Sequence, residues 1–394
     1  MVRHPRACLA PLLLACAQAF AAPYTPANDA VVVERLPLAT DPSARRVDSL
    51  RKQLAAQPGN ISLRIEIARR YFDLAMAQGD PRLIGYAASA LAPLEKTAAQ
   101  RADYWLARGL IEQYSHNFEA ALASLDKAAK LDAQSPEAPA WRAAIFMVEA
   151  RYADAQAECD RLAPIAEPLF GAGCSAYVRA ATGQLQAAHD ALAAALKAAP
   201  QSAPELRLWQ YTRLGEMAMR LARPQQAEGY FREALKLGVT DQFLLGAYSD
   251  FLLAQKRPAE VMALLAPWER SDVLLLRLAL AGQDAKDPRA ADWSAQLRDR
   301  FQAAGQRGDR LHEQEAARFE LDLEKNPAKA LALAARNYTA QKEARDAEIL
   351  MRAALAAKQP KAAQPALDWL RASRYEDPDF AALASKLAAQ GATQ

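Results

Sequence analysis

Side chains able to do acid–base or metal chemistry are few in this sequence, and they are scattered. Past residue 21 the histidines are His116, His189 and His312, each in a distant segment. A catalytic zinc needs several converging imidazoles or carboxylates, and no H-E-x-x-H spacing supplies them. His312 and Glu315 stand three residues apart, one helical turn, and form the one histidine–carboxylate pairing worth weighing. It can be read as a hydrolytic or metal site, or as a helix-face pair among Glu313, Glu315 and Arg318. His116 precedes Asn117 in a turn and is expected to be solvated, and His189 is expected to be exposed beside Asp190. Glu95, Glu376, Asp377 and Asp379 read as loop or helix-face charges. Nothing holds two carboxylates the ~5–9.5 Å apart that glycoside hydrolysis uses. There is no glycine-rich phosphate loop and no G-x-S-x-G elbow. The expectation is a protein without catalysis, cofactor or metal.

The N-terminus carries targeting chemistry instead. Arg3, His4 and Arg6 precede an apolar stretch from Ala7 to Ala17, and Ala19-Phe20-Ala21 offers a small-x-small cleavage pattern. Residues 1–21 therefore read as an export signal, too short to span a bilayer, which takes ~20 apolar residues. Leu13-Leu14-Ala15-Cys16 offers a competing reading, a lipobox that would place a lipid anchor on Cys16. Removing residues 1–21 takes away Arg3 and Arg6 and no acid, so the net charge falls from +3 to +1. A near-neutral chain of interspersed charges lacks the clustered basic face that nucleic acid requires. Val273 to Ala281 is apolar but short and carries Arg277, so it reads as a buried helix and not as a membrane span.

The elements that must position these residues are helices. Hydrophobic residues make up 52% of the chain, yet aromatics only 7% and Gly only 15 residues, so the excess is mostly Ala and Leu, which favour helix. Six segments place small and large residues at common offsets, with starts about 34 residues apart. The best copy runs from Leu208 to Asp241, with Tyr211, Gly215, Ala218, Ala227, Phe231 and Ala234 at positions 4, 8, 11, 20, 24 and 27. Other copies carry Trp105, Gly109, Ala121, Leu125 and Ala128; Ala143, Phe146 and Ala155; and Ala176, Ala188, Leu192, Ala195 and Pro200. Ser249, Val261 and Leu265 belong to a fifth, and Ala335, Tyr338, Ala347, Met351 and Ala354 to a sixth. Small residues at positions 8 and 20 let two antiparallel helices approach closely, and the large ones fill the space between hairpins.

This spacing resembles the tetratricopeptide repeat, over roughly 60–270 and 328–357. The resemblance implies an all-α protein, an α-α superhelix of antiparallel helix hairpins in which each repeat buries its apolar face against its neighbours. The chain then divides into the signal (1–21), an extended linker rich in proline (22–48), a solenoid (49–270), an irregular helical segment (271–327) and a C-terminal hairpin with capping helices (328–394). Asp80-Pro81 and Asp287-Pro288 are expected to start second helices. In the same frame Cys159 lies on one second helix and Cys174 on the next first helix, so a disulfide across that seam is expected in an oxidising compartment. Unoxidised, they would be two small buried hydrophobes.

In such repeats positions 2, 5, 9 and 12 of each first helix line a concave groove. Carried over, they give Arg69, Phe72, Gln113, Met147, Tyr177, Trp209, Thr212, Glu216, Met219 and Asp250 as partner-binding residues, with Leu106, Leu110, Phe170, Phe243 and Leu253 divided between groove and core. Aromatic and methionine side chains suit an extended peptide or a helix. Lys329 and Arg336 are too isolated to rebuild the basic clamp of chaperone-tail binders. The expected function is an exported, periplasmic scaffold whose partner is another protein or peptide. An alternative is a structural subunit of an outer-membrane secretion or polysaccharide-export assembly, tethered through Cys16. A third, enzymatic reading places a site around His312 and Glu315.

Overall fold

A computed structural model describes residues 42–392, so the expected signal, Cys16 and residues 22–41 of the expected linker lie outside them. The chain divides into Met1–Arg45 and Arg46–Gln394, and the helix hairpins all belong to the second unit. Helix α1 (Pro42–Ala56) starts inside the stretch expected to be linker. Its buried Val47 and Leu50, with an Arg46–Glu66 ion pair of 2.6 Å, join it to the repeats.

Every element among the described residues is helical, and the helices come in antiparallel pairs. The first pairs are α2 (Ile61–Gln78) with α3 (Arg82–Leu91), α4 (Ala102–Tyr114) with α5 (Phe118–Leu131), and α6 (Glu137–Val148) with α7 (Tyr152–Leu162). Next come α8 (Pro168–Ala180) with α9 (Leu185–Ala198), α10 (Pro204–Arg220) with α11 (Pro224–Leu235), and α12 (Gln242–Ala254) with α13 (Pro258–Leu265). The succession continues through α14 (Asp272–Ala285) with α15 (Ala290–Gln306), α16 (Glu313–Asp322) with α17 (Pro327–Asn337), and α18 (Ala344–Ala356) with α19 (Gln364–Ser373), before α20 (Pro378–Ala392). Successive first helices pack side by side from α2 to α20, which makes this the tetratricopeptide-like superhelix that the spacing implies.

The small-residue rule has a direct steric basis. A Cβ on Gly215 would lie 2.6 Å from the Phe231 ring, and one on Gly109 would lie 2.8 Å from Leu125. Position 8 is thus the hole that receives the position-24 side chain. The two Asp-Pro starts also behave alike, with Asp80 accepting from the Arg82 amide (3.1 Å) and Asp287 from the Arg289 amide (2.9 Å).

Two expectations need correction. Residues 271–327 are not irregular, because hairpins α14–α15 and α16–α17 continue the array. Gly282 there meets Trp293, whose ring lies 2.9 Å from where a Cβ would sit, so an indole replaces the usual position-24 residue and shifts the offsets. The sixth copy is also one helix out of phase, since α17 pairs with α16 as a second helix. Ala334 is buried there and Ala335 exposed. An alanine-rich helix fits a small-residue template in more than one register.

Left-handed residues mark each hairpin turn: Gly79, His116, Ala150, Gly183 and Ala222, then Lys256, Lys286, Lys325 and Lys358, all with φ between 55° and 77°. The turns of the first five hairpins rest on the starts of later first helices. A Cβ on Gly79 would lie 2.1 Å from the Gln242 side-chain oxygen and 2.7 Å from the Ser271 hydroxyl, so glycine at this left-handed turn lets both approach closely. Gln341 reaches His116 at 2.8 Å, the Lys342 amide donates to the Val148 carbonyl at 2.7 Å, and the Trp369 indole donates to the Tyr152 hydroxyl at 2.7 Å. The Leu185 amide donates to Glu376 at 2.6 Å, and Arg220 donates to the Glu376 carbonyl at 3.0 Å. One superhelical turn therefore stacks on the next.

Cys159 and Cys174 form a disulfide between α7 and α8, with Cα atoms 5.5 Å apart and 15 residues of separation. Closing a loop this size restricts the unfolded chain. Reduction, or Cys159→Ala with Cys174→Ala, is expected to lower stability by roughly 2–3 kcal/mol. Denaturant midpoints with and without reductant measure this, and identical midpoints would contradict it.

Candidate partner-binding face

First helices face the superhelix axis, and their side chains converge there. Helices two hairpins apart are separated by about 20 Å around the ring, so side chains from them can touch only on the concave side. Asp250 on α12 does this, pairing with Arg277 on α14 at 2.5 Å and Arg318 on α16 at 2.8 Å. The relay continues from Arg318 to Asp322 (3.7 Å), from Asp322 to Arg352 on α18 (2.6 Å), and from Arg352 to Glu348 (3.5 Å). Burial works against the Asp250 charge, but Arg277 and Arg318 outweigh it and hold the carboxyl below its ordinary range. Glu348, at the end of the relay, is pushed up by burial.

A second cluster joins the two superhelical turns. The Arg213 guanidinium lies 3.7 Å from the centre of the Tyr177 ring, and pairs with Glu216 at 3.0 Å. The Tyr177 hydroxyl donates to Glu343 at 3.4 Å, and Glu343 also pairs with Arg345 at 2.7 Å. Burial pushes the Tyr177 phenol up. Next to it, His312 and Glu315 approach to 3.7 Å. Burial opposes ionisation of Glu315, yet the His312 imidazole beside it and the charges of Arg345 and Arg277 bring the carboxyl down to about 2.

The expected groove residues divide into three environments. Tyr177, Glu216 and Asp250 face the axis in these two clusters, while Gln113 is half-buried on α4. Phe72 and Met147 are buried, Phe72 against the edge of Trp141 between hairpins, and the buried Thr212 hydroxyl donates back to the Leu208 carbonyl at 2.9 Å. Met219 packs against the core around Phe231, and Arg69 pairs with Glu137 at 2.6 Å. Trp209 is 44% exposed, as is Phe243 at 41%, and both occupy position 2 of successive first helices. Leu106 and Leu110 are core.

Sequence reasoning missed Arg213, Arg277, Arg318, Glu343, Arg345 and Arg352. Most belong to α14 and α16, which no repeat copy covered, or to α18, where the copy was one helix out of phase; Arg277 and Arg318 were visible only as a charge in an apolar run and a helix-face charge. The histidines also differ from expectation. His189 is buried, with Nδ1 3.0 Å from Asp190 and Nε2 3.4 Å from the Tyr230 hydroxyl. His116 is half-buried against Gln341, since its turn lies in the stack and not at the surface. A cavity of about 370 Å³ lined by His116, Phe118, Arg151 and Lys342 adjoins that contact, and another of about 300 Å³ lies at the Tyr152–Trp369 contact, bounded by Arg374. Among the described residues no three His, Cys, Asp or Glu side chains are grouped to hold a metal ion, and no helix is long and apolar enough to cross a membrane.

No family model and no curated protein matches the chain. Solved structures do. The Rap protein complexed with competence and sporulation factor is 14% identical, over 88% of this chain and 94% of that one, with a TM-score of 0.49. The PilF protein of Pseudomonas aeruginosa is 23% identical over 51% and 91%, at 0.36. The APC/C heterotetramer Cut9–Hcn1 is 17% identical over 79% of this chain, at 0.41, and this chain spans about half (52%) of its length. Likeness at this level concerns the fold alone.

Proposed function

We propose that the chain is an exported interaction scaffold that holds a segment of another protein along the axis-facing side of its first helices. Trp209 and Phe243 carry this reading, because both sit at position 2 of successive first helices and remain 44% and 41% exposed, offering apolar surface for a partner to bury. Arg213 lies one turn beyond Trp209, 5.9 Å from its ring, and supplies a charge beside the aromatic anchor. Aromatic and arginine side chains dominate binding energy at interfaces. The Cys159–Cys174 bridge supports an oxidising, extracytoplasmic location.

Trp209→Ala with Phe243→Ala is expected to weaken capture of the partner from an envelope extract at least about tenfold. Both side chains are exposed, so helicity and melting should be unchanged. Undiminished capture by the double variant would remove the groove assignment.

A further inference from the structure

The two cavities at the joint between superhelical turns differ in charge. In the larger, Arg151 and Lys342 are matched by Glu119 and Glu149 on the same lining, and Arg151 pairs with Glu149 at 3.2 Å. In the smaller, Arg374 is the one charged side chain among the described residues lining it, and none of their carboxylates pairs with it. A pocket carrying charge of one sign draws in the opposite sign.

The α6–α7 turn, the α8–α9 turn and the end of α19 build this smaller cavity. Its wall is aromatic. Trp369 is buried, and its indole donates to the Tyr152 hydroxyl at 2.7 Å, which fixes both rings. That hydroxyl accepts from Trp369 and has its own proton left to donate. Burial pushes the phenol up, so the proton stays on. The other two hydroxyls are already committed, Thr182 donating to the Val178 carbonyl at 2.9 Å and Ser373 to the Trp369 carbonyl at 2.8 Å. Arg374 takes the left-handed position that ends α19, with φ of 55°, and its own Cβ lies 3.0 Å from where a Cβ on Gly183 would sit. Glycine in the α8–α9 turn therefore lets the arginine stem rest against the backbone there.

We infer that this cavity binds a small carboxylate with an apolar body, the Arg374 guanidinium and the Tyr152 hydroxyl holding the carboxylate and the Trp369 and Tyr152 rings the body. Its volume of about 300 Å³ lies at the small end of ligand sites. Neither Trp209 nor Phe243 lines it, so the site is separate from the partner-binding face. Because its walls come from both superhelical turns, a bound ligand stabilises their stacking.

Isothermal titration of the full chain with sodium phenylacetate tests this. One ligand per chain with a Kd below about 1 mM is expected, and the melting temperature should rise with ligand concentration. Phenylacetamide, similar in shape but uncharged, should bind at least about tenfold more weakly, and so should acetate, which lacks the ring. Arg374→Asn keeps a residue tolerant of the left-handed turn and should weaken phenylacetate binding at least about tenfold, with circular dichroism unchanged. No saturable binding up to about 10 mM, equal affinity for phenylacetamide or for acetate, or full affinity in folded Arg374→Asn would each overturn the inference. Phenylacetamide and acetate decide it on the natural chain alone if the variant does not fold.

Discussion

Phe231→Ala is expected to cost about 3–5 kcal/mol, the usual loss when a fully buried aromatic ring becomes a cavity. The ring is 0% exposed and lies with its centre 5.5 Å from that of Tyr248 and 5.9 Å from that of Phe251. It also fills the space left by Gly215, so it holds α10 to α11 and both to α12. The rigid backbones of two paired helices cannot close the void, because the neighbouring hairpins fix them from both sides. Gly215→Val tests the same contact in the opposite sense, since its branched side chain must enter the ring's place. Urea denaturation measures both. In a solenoid, stability is the sum of hairpin and neighbour terms, so amide exchange should accelerate first in residues 204–254. A loss below about 1 kcal/mol for Phe231→Ala would mean that this pocket collapses freely, contrary to the close packing around the ring.

Gly215 and Phe231 also show why so much of the fold was legible. Their contact is local, within one hairpin, so it imposes a fixed spacing that a single copy reveals and four more copies repeat. The Cys159–Cys174 bridge was legible for the same reason, because adjacent helices of neighbouring hairpins bring those positions together. The stacking of superhelical turns was not. It joins His116 to Gln341 and Leu185 to Glu376, and depends on how much each hairpin rotates against the next. That angle accumulates from small packing differences that no motif encodes. The candidate face inherits this division. Trp209 and Phe243 could be placed by position within a repeat, whereas Arg213, Glu343 and Arg345 meet only because a later turn returns to α8 and α10. Polar residues near the axis then look, in sequence, like ordinary surface charges.

His116 sits in that stack and should make the protein sensitive to acid. It is enclosed between its own turn, with Phe118, and the groups of α16 and α18, namely His312, Glu315, Gln341, Glu343 and Arg345. Burial disfavours the imidazolium and the nearby His312 charge adds to this, lowering the imidazole from 6.5 to about 4. The unfolded chain therefore takes up this proton near pH 6.5, while the folded chain resists it until about pH 4. Stability attached to His116 is whole above pH 6.5 and is lost as pH falls toward 4. At about 1.4 kcal/mol per pH unit the loss approaches about 3 kcal/mol. Glu315, held at about 2, adds a further loss as pH drops below the usual glutamate range. His312 acts with the opposite sign, since the neighbouring Glu315 carboxylate raises it against the effect of burial, so its contribution fades as pH rises above 6.5. Urea midpoints at pH 7, 5.5 and 4.5 should thus fall steeply for the natural chain. In His116→Asn, which keeps a residue tolerant of the left-handed turn, the decline between pH 6.5 and 4.5 should be much shallower. The same slope in both proteins would mean that His116 reaches water when the stack is closed, and that the two superhelical turns are not held together at that point.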